Sequence, residues 1–125
     1  MKLTNGEEQV MKYIWKLERA YLKNILDEFP DPKPAPTTIA TLLKRMTDKE
    51  FVGYHQHGSN REYFPLVKKT EYFSKQVNLM IKDYFNNSAS QFASFFTNET
   101  NLNLTDLEEL QQLVEQKIKT KKKLK

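Results

Sequence analysis

Apolar side chains recur first at helical spacing, then in alternation, then at helical spacing again. Val10, Met11, Ile14 and Leu17, with Tyr13 and Trp15 widening the arc, form one face, and Lys12, Lys16 and Glu18 point away from it. Just ahead of them, Thr4-Asn5-Gly6-Glu7 has the spacing of a capping box, in which hydroxyl and carboxylate satisfy each other's free amides, so a helix is predicted to start there. A second helix is predicted over Tyr21–Phe29, with Leu22, Ile25, Leu26 and Phe29 on one side. The run Pro30-Asp31-Pro32-Lys33-Pro34-Ala35-Pro36 cannot continue it, because each proline lacks an amide donor and biases its predecessor toward extended backbone. Pro36 suits the first position of a third helix, whose buried stripe is Ile39, Leu42, Leu43 and Met46. Alternation then predicts strands at 51–57 and 61–66 around a Gly58-Ser59-Asn60 turn, a β-hairpin with a polar tip. The helical period returns from Thr70 through Phe73, Val77, Met80, Ile81, Tyr84 and Phe85, and ends at Asn86-Asn87. A short aromatic segment, Phe92, Phe95 and Phe96, follows. Thr105-Asp106-Leu107-Glu108 reads as a second capping box, opening a last helix with Leu107, Leu110, Leu113, Val114 and Ile118 on one stripe. No internal repeat of useful length is present.

A length of 125 residues gives room for one domain, or a small domain with an appendage, and excludes a large two-domain enzyme. With no cysteine, disulfides, thiolate metal sites and a cysteine nucleophile are excluded, and the cytoplasm is the expected compartment. The residues after Met1 contain no basic segment leading into an apolar run, and no stretch approaches a membrane span, so neither secretion nor membrane insertion is expected. The net charge of +4 is a sum of unlike pieces. Residues 1–35 are balanced, 36–69 carry six basic against three acidic side chains, 70–116 two against seven, and 117–125 six lysines and no acid. Such a lysine-rich end is expected to be a frayed, solvated terminus.

Three helices followed by a hairpin is the order of a winged helix-turn-helix, with the third helix placed in the DNA major groove and the hairpin as wing. The fold class expected is therefore mainly α with a small β-hairpin: a winged-helix domain over 1–69 and a C-terminal helical dimerisation region over 70–125. Thr37, Thr38 and Thr41 supply short donors and methyl groups, Lys44 and Arg45 can neutralise phosphates, and Arg45 has the fork that reads guanine. Arg61, near the wing tip, can reach backbone or minor groove. Pattern alone leaves open that these are merely solvated residues of a surface helix.

Glu7-Glu8-Gln9-Val10-Met11-Lys12-Tyr13-Ile14-Trp15 resembles the first-helix signature E-x-x-V-M-x-x-I-W of the BlaI/MecI penicillinase-repressor family. Ala35–Leu43 resembles its recognition-helix motif S-P-x-T-[IV]-x-T-L, Phe51–Tyr54 and Tyr63–Val67 its wing strands, and Asp106-Leu107-Glu108-Glu109-Leu110 its last helix. The four motifs stand in the same order over nearly the whole chain. The resemblance implies a homodimeric repressor of a dyad-symmetric, double-stranded DNA operator, without cofactors, using Thr37, Thr38, Thr41 and Arg45 on the reading face. It also implies a use for the C-terminal apolar residues. Phe73, Val77, Ile81, Phe85, Phe92, Phe95, Phe96, Leu110 and Leu113 exceed what three thin helices can bury alone, so a second copy is the simplest cover; folding back onto the chain's own N-terminal domain is the other. In the family, a membrane sensor protease, or a protease downstream of it, triggers cleavage in the dimerisation region. Ser94-Phe95 is the nearest equivalent bond here, with Ser in place of the usual Asn. The chain departs from the family pattern at Ala35, where a capping Ser is usual, at Thr37 and Ala40, where Lys or Arg is frequent, and at Glu8, in place of Trp. The missing cap costs about 1 kcal/mol, and fewer cations on the third helix change which operator it reads rather than how it binds.

His55 and His57 would share one strand face, but two imidazoles without a third ligand do not make a metal site, and the cysteine pairs of related copper-responsive repressors are missing. Neither histidine has a Ser-Asp partner suggested by sequence, and no glycine-rich phosphate loop is present, so an enzyme is not expected. The competing reading is a dimeric winged-helix module that binds proteins and does not read DNA.

Overall fold

The computed structural model describes residues 2–124. Its first helix, α1 (Asn5–Leu17), begins where the capping box requires: Glu7 N donates to Thr4 Oγ1 at 3.2 Å and Thr4 N donates to Glu7 Oε1 at 2.8 Å. A two-residue strand, β1 (Ala20–Tyr21), precedes α2 (Leu22–Glu28); α3 (Pro36–Asp48) follows the proline-rich connector. The hairpin is β2 (Val52–His57) and β3 (Asn60–Pro65), and three helices complete the chain, α4 (Lys69–Tyr84), α5 (Ala89–Glu99) and α6 (Leu104–Lys123). Two compact units result, divided after Ser74 within α4.

In the first unit, α1, α2 and α3 converge on a core that the hairpin base closes. Val10, Met11 and Ile14 of α1, Ile25 of α2, Leu43 and Met46 of α3 are fully excluded from water, with Ile39 and Val52 almost so. Each such side chain contributes about 1.5–3 kcal/mol relative to exposure. The sheet has three strands in the order β1-β3-β2, all antiparallel. This corrects the expected plain hairpin and the helix start at Tyr21: Ala20 and Tyr21 pair with Tyr63 and Glu62 before α2 begins. The hairpin turn holds two residues, Gly58 and Ser59, with His57 paired to Asn60, and Gly58 takes φ +62°, which a residue without Cβ adopts without strain.

The connector is tied down by Lys33, whose ammonium donates to the carbonyls of Phe29 (2.7 Å), Asp27 (3.1 Å) and Leu26 (3.4 Å). These are the carbonyls that a helix C-terminus leaves without partners, and a cation there also opposes the helix dipole. Pro36 is the first residue of α3 as expected, and Ala35 in the cap position makes no side-chain capping bond.

The second unit has no buried side chain among the described residues. Asn86 and Asn87, at φ 53° and 55°, turn the chain between α4 and α5, in a left-handed conformation that asparagine tolerates. Phe85 then meets Phe92 (ring centroids 5.6 Å) and Phe95 (5.3 Å), and Phe92 stacks near Phe96 (6.1 Å, 4° between planes). Two expectations for the last helix are corrected. Its cap is Asn103, which accepts from Asp106 N at 2.8 Å while Asp106 Oδ2 accepts from Asn103 N at 3.1 Å, so the helix starts before Thr105. The lysine-rich end is not frayed up to Lys123 but forms the last turns of α6; lysine is a good helix former, and positive charge suits a helix C-terminus. No helix is long and apolar enough to cross a membrane among the described residues.

Candidate nucleic-acid interface

Burial of Ile39, Leu43 and Met46 fixes the rotation of α3, since the opposite face must then meet solvent. That face carries Thr37, Thr38, Thr41, Lys44 and Arg45, all exposed, at spacings that place them on one side of the helix. Thr41 Oγ1 donates to Thr37 O at 3.0 Å, which occupies its hydroxyl proton. Lys44 Nζ lies 3.4 Å from Asp48 Oδ2, with both side chains mostly in water. Such an exposed pair is worth a few tenths of a kcal/mol, so a phosphate displaces Asp48 at little cost. Arg45 has no carboxylate in ion-pair range among the described residues.

The wing presents a different kind of cation. Arg61, the second residue of β3, lies over the Tyr54 ring at 4.3 Å, and its Nε donates to Gln56 Oε1 at 3.4 Å. Pairing of Gln56 with Arg61 and of Tyr54 with Tyr63 puts these groups on one face of the hairpin. A guanidinium stacked on an aromatic face loses less freedom when it meets an anion than one free in solvent. Tyr54 and Gln56 are thus residues of the site that sequence reading missed; the cross-strand alternation holds them, but only the register reveals the stacking.

The histidines occupy the opposite face. His55 stacks on Phe64 (4.8 Å), and His57 Nε2 lies 3.3 Å from Glu62 Oε1 and beside Tyr21. No group of three metal-ligating side chains occurs among the described residues. Phe64 in turn covers Gly53, where a Cβ would come within 2.8 Å of the ring.

The placement of α3 depends on a further missed pair. The Glu7 side chain is wholly buried, and its Oε1 receives Lys49 Nζ at 2.7 Å as well as the Thr4 amide. Lys49 is the C-cap residue of α3, so the ion pair joins the start of α1 to the end of α3. Burial pushes the Glu7 carboxyl up, but the Lys49 ammonium and the Thr4 hydrogen bonds together outweigh it and hold it below the ordinary glutamate value. Its Oε2 has no hydrogen-bond partner among the described residues, which makes the pair to Lys49 the main compensation for the buried charge.

The remaining expected residues lie along α4, α5 and α6. Phe73 belongs to the first unit, where it packs on Trp15 (5.8 Å) and Tyr72 (5.2 Å). Val77, Phe95 and Leu113 are exposed, and Ile81, Phe85, Phe92, Phe96 and Leu110 are half-buried. Exposed apolar residues beyond the expected set include Leu79, Leu104 and Leu107. Ser94 and Phe95 sit in the middle of α5, both exposed.

Comparison with known proteins places this arrangement. The chain is 25% identical over 117 residues to the methicillin resistance regulatory protein MecI of Staphylococcus aureus (strain N315), covering 93% of this chain and 95% of that protein. It is 24% identical over the same length and shares to MecI of Mammaliicoccus sciuri. The solution structure of the DNA-binding domain of the repressor BlaI superposes with a TM-score of 0.51 and 28% identity, covering 57% of this chain and 88% of that domain. The profile of the penicillinase repressor family matches residues 3–116, and the chain belongs to that family.

Proposed function

We propose that the protein is a transcriptional repressor that binds a dyad-symmetric DNA operator as a homodimer, with α3 in the major groove and the β2–β3 wing on the flanking backbone. It is a regulator and not an enzyme. The observation that carries the DNA reading is the uniform exposure of Thr37, Thr38, Thr41, Lys44 and Arg45 on the face of α3 opposite its buried stripe. The likeness of the first unit to the BlaI DNA-binding domain supports the same assignment. Thr37, Thr38 and Thr41 touch base edges or thymine methyls, Lys44 and Arg61 meet phosphates, and Arg45 reads guanine or backbone. The exposed apolar residues of α4 and α6 support pairing through the second unit. Two-fold symmetry then sets the half-sites about 34–36 Å apart, or a multiple of that.

The test is a mobility shift on a dyad-symmetric fragment from the region upstream of the protein's own coding sequence, across a salt series. Lys44 and Arg61 of both protomers on phosphates give a log–log salt slope of about −4, and of about −5 where Arg45 also meets backbone. Arg45→Ala is expected to weaken binding about tenfold to a hundredfold, because each dimer loses two charged contacts. Binding no stronger than to bulk DNA overturns the repressor reading, and affinity flat with salt favours the protein-interaction module.

Relief of repression by cleavage at Ser94-Phe95 belongs to the same proposal. Its support is the exposure of both residues on α5. A helical bond must first unwind to enter a protease cleft, so cleavage and local melting of α5 are linked. The expected products in induced cells are fragments ending at Ser94 and beginning at Phe95, identified by mass. An intact chain after full induction discards this step.

A further inference from the structure

The first unit carries a cleft that the DNA reading does not use. It has a volume of about 680 Å³ and lies along α1 and the first turns of α4, within the size range of small-molecule sites. Trp15 and Phe73 form its apolar wall, with ring centroids 5.8 Å apart. That wall is held in place: Trp15 Nε1 donates to Val67 O at 2.8 Å, and Tyr72, packed edge-on to Phe73, donates its hydroxyl to Glu8 Oε2 at 2.8 Å. Three ammonium groups, Lys12, Lys16 and Lys69, border the cleft against one carboxylate, Glu8. Lys16 is paired with Glu28 at 2.9 Å, and Glu8 is engaged by Tyr72. Lys12 and Lys69 have no carboxylate in ion-pair range among the described residues.

From this juxtaposition we infer that the cleft is a binding site for a small planar aromatic carboxylate. Its ring packs into the corner between Trp15 and Phe73, whose planes are inclined by 55°, and its carboxylate meets the ammonium groups of Lys12 and Lys69. Two unneutralised cations beside an aromatic wall favour an anion with an apolar body over a neutral apolar molecule, which gains nothing from either cation, and over a cation, which they repel. A nucleic-acid backbone has no use for the apolar wall. The inference concerns binding alone and is tested without DNA, so it stands or falls separately from the operator reading.

Trp15 is the only tryptophan in the chain, so its emission reports occupancy directly. The full-length protein is titrated with benzoate, benzamide and benzylamine. The carboxylate is expected to give a saturable change in Trp15 emission, binding about tenfold more tightly than the amide, the ratio for one lost charge-assisted contact. Lys12→Met with Lys69→Met is expected to remove that tenfold preference while the amide's weak binding stays. Both positions are exposed, and circular dichroism verifies the fold. Lys23→Met, on α2 and away from the cleft, leaves the preference intact. Equal affinity for acid and amide, a preference that survives the double substitution, or no saturation in the millimolar range overturns the assignment.

Discussion

Val114→Glu combined with Ile118→Glu is expected to raise the dimer dissociation constant by at least about a thousandfold, leaving the protein monomeric at micromolar concentration. The two side chains are 58% and 47% exposed and stand one turn apart on α6, so little packing within the chain is lost. In a dimer each contributes about 1.5–3 kcal/mol per protomer by burial, and a carboxylate in its place must be desolvated or kept apart. Sedimentation equilibrium reads the mass, and circular dichroism shows helix content unchanged. Operator binding is expected to fall about a hundredfold to ten-thousandfold, the loss of linkage between two half-site readers, while affinity for an isolated half-site stays the same. A double variant that keeps the wild-type mass shows that this stripe is covered by something other than a second copy.

Lys49→Met is expected to lower the stability of the first unit by about 2–3 kcal/mol at neutral pH, because it leaves the Glu7 carboxylate buried without its cation. The figure lies at or below the low end of the usual range for a broken buried pair, since Lys49 retains some exposure. The acid dependence has a definite sign. The Glu7 carboxyl is depressed below its ordinary value in the folded chain, so its stabilising contribution is complete above the ordinary carboxylate range and fades as pH falls through the folded value. Denaturant unfolding from neutral pH downward is therefore expected to show the gap between wild type and Lys49→Met narrowing in acid. In the variant, only the Thr4 hydrogen bonds still oppose burial, so the carboxyl rises relative to wild type and Glu7 protonates earlier, relieving part of its own penalty. A gap that stays constant with pH excludes the ion pair as the cause. Since Lys49 caps α3, the variant is also expected to bind the operator more weakly at a pH where it remains folded.

Most of the element order was legible because its signals are local. The Thr4–Glu7 box and the Pro36 start act within one turn, and apolar periodicity over a dozen residues marks the buried faces of α1 and α3. Where two local signals competed, the sequence misled. Asn103-x-x-Asp106 and Thr105-x-x-Glu108 both satisfy the capping rule, and the earlier one prevails because asparagine is the better cap and starting there adds helical residues. The strand β1 has only two residues, too few for any period to show, and exists because β3 offers an edge for Ala20 and Tyr21 to pair with.

The exposed face of α3 was likewise deducible, since a helix that buries Ile39, Leu43 and Met46 has one remaining orientation for Thr37, Thr41 and Arg45. How its neighbours support that face was not. Glu7 and Lys49 are 42 positions apart and look like two solvated charges, the Arg61–Tyr54 stacking depends on strand register, and Lys33 reaches back to carbonyls that carry no sequence identity. The cleft beside Trp15 needs α1 and the start of α4 to meet, and nothing in either segment announces the other. By itself the sequence determined which residues each element hides and which it shows, because periodicity and capping depend on neighbours within a turn or two. The tertiary structure alone decided which exposed and charged groups face one another, because those pairings are set by how distant segments pack.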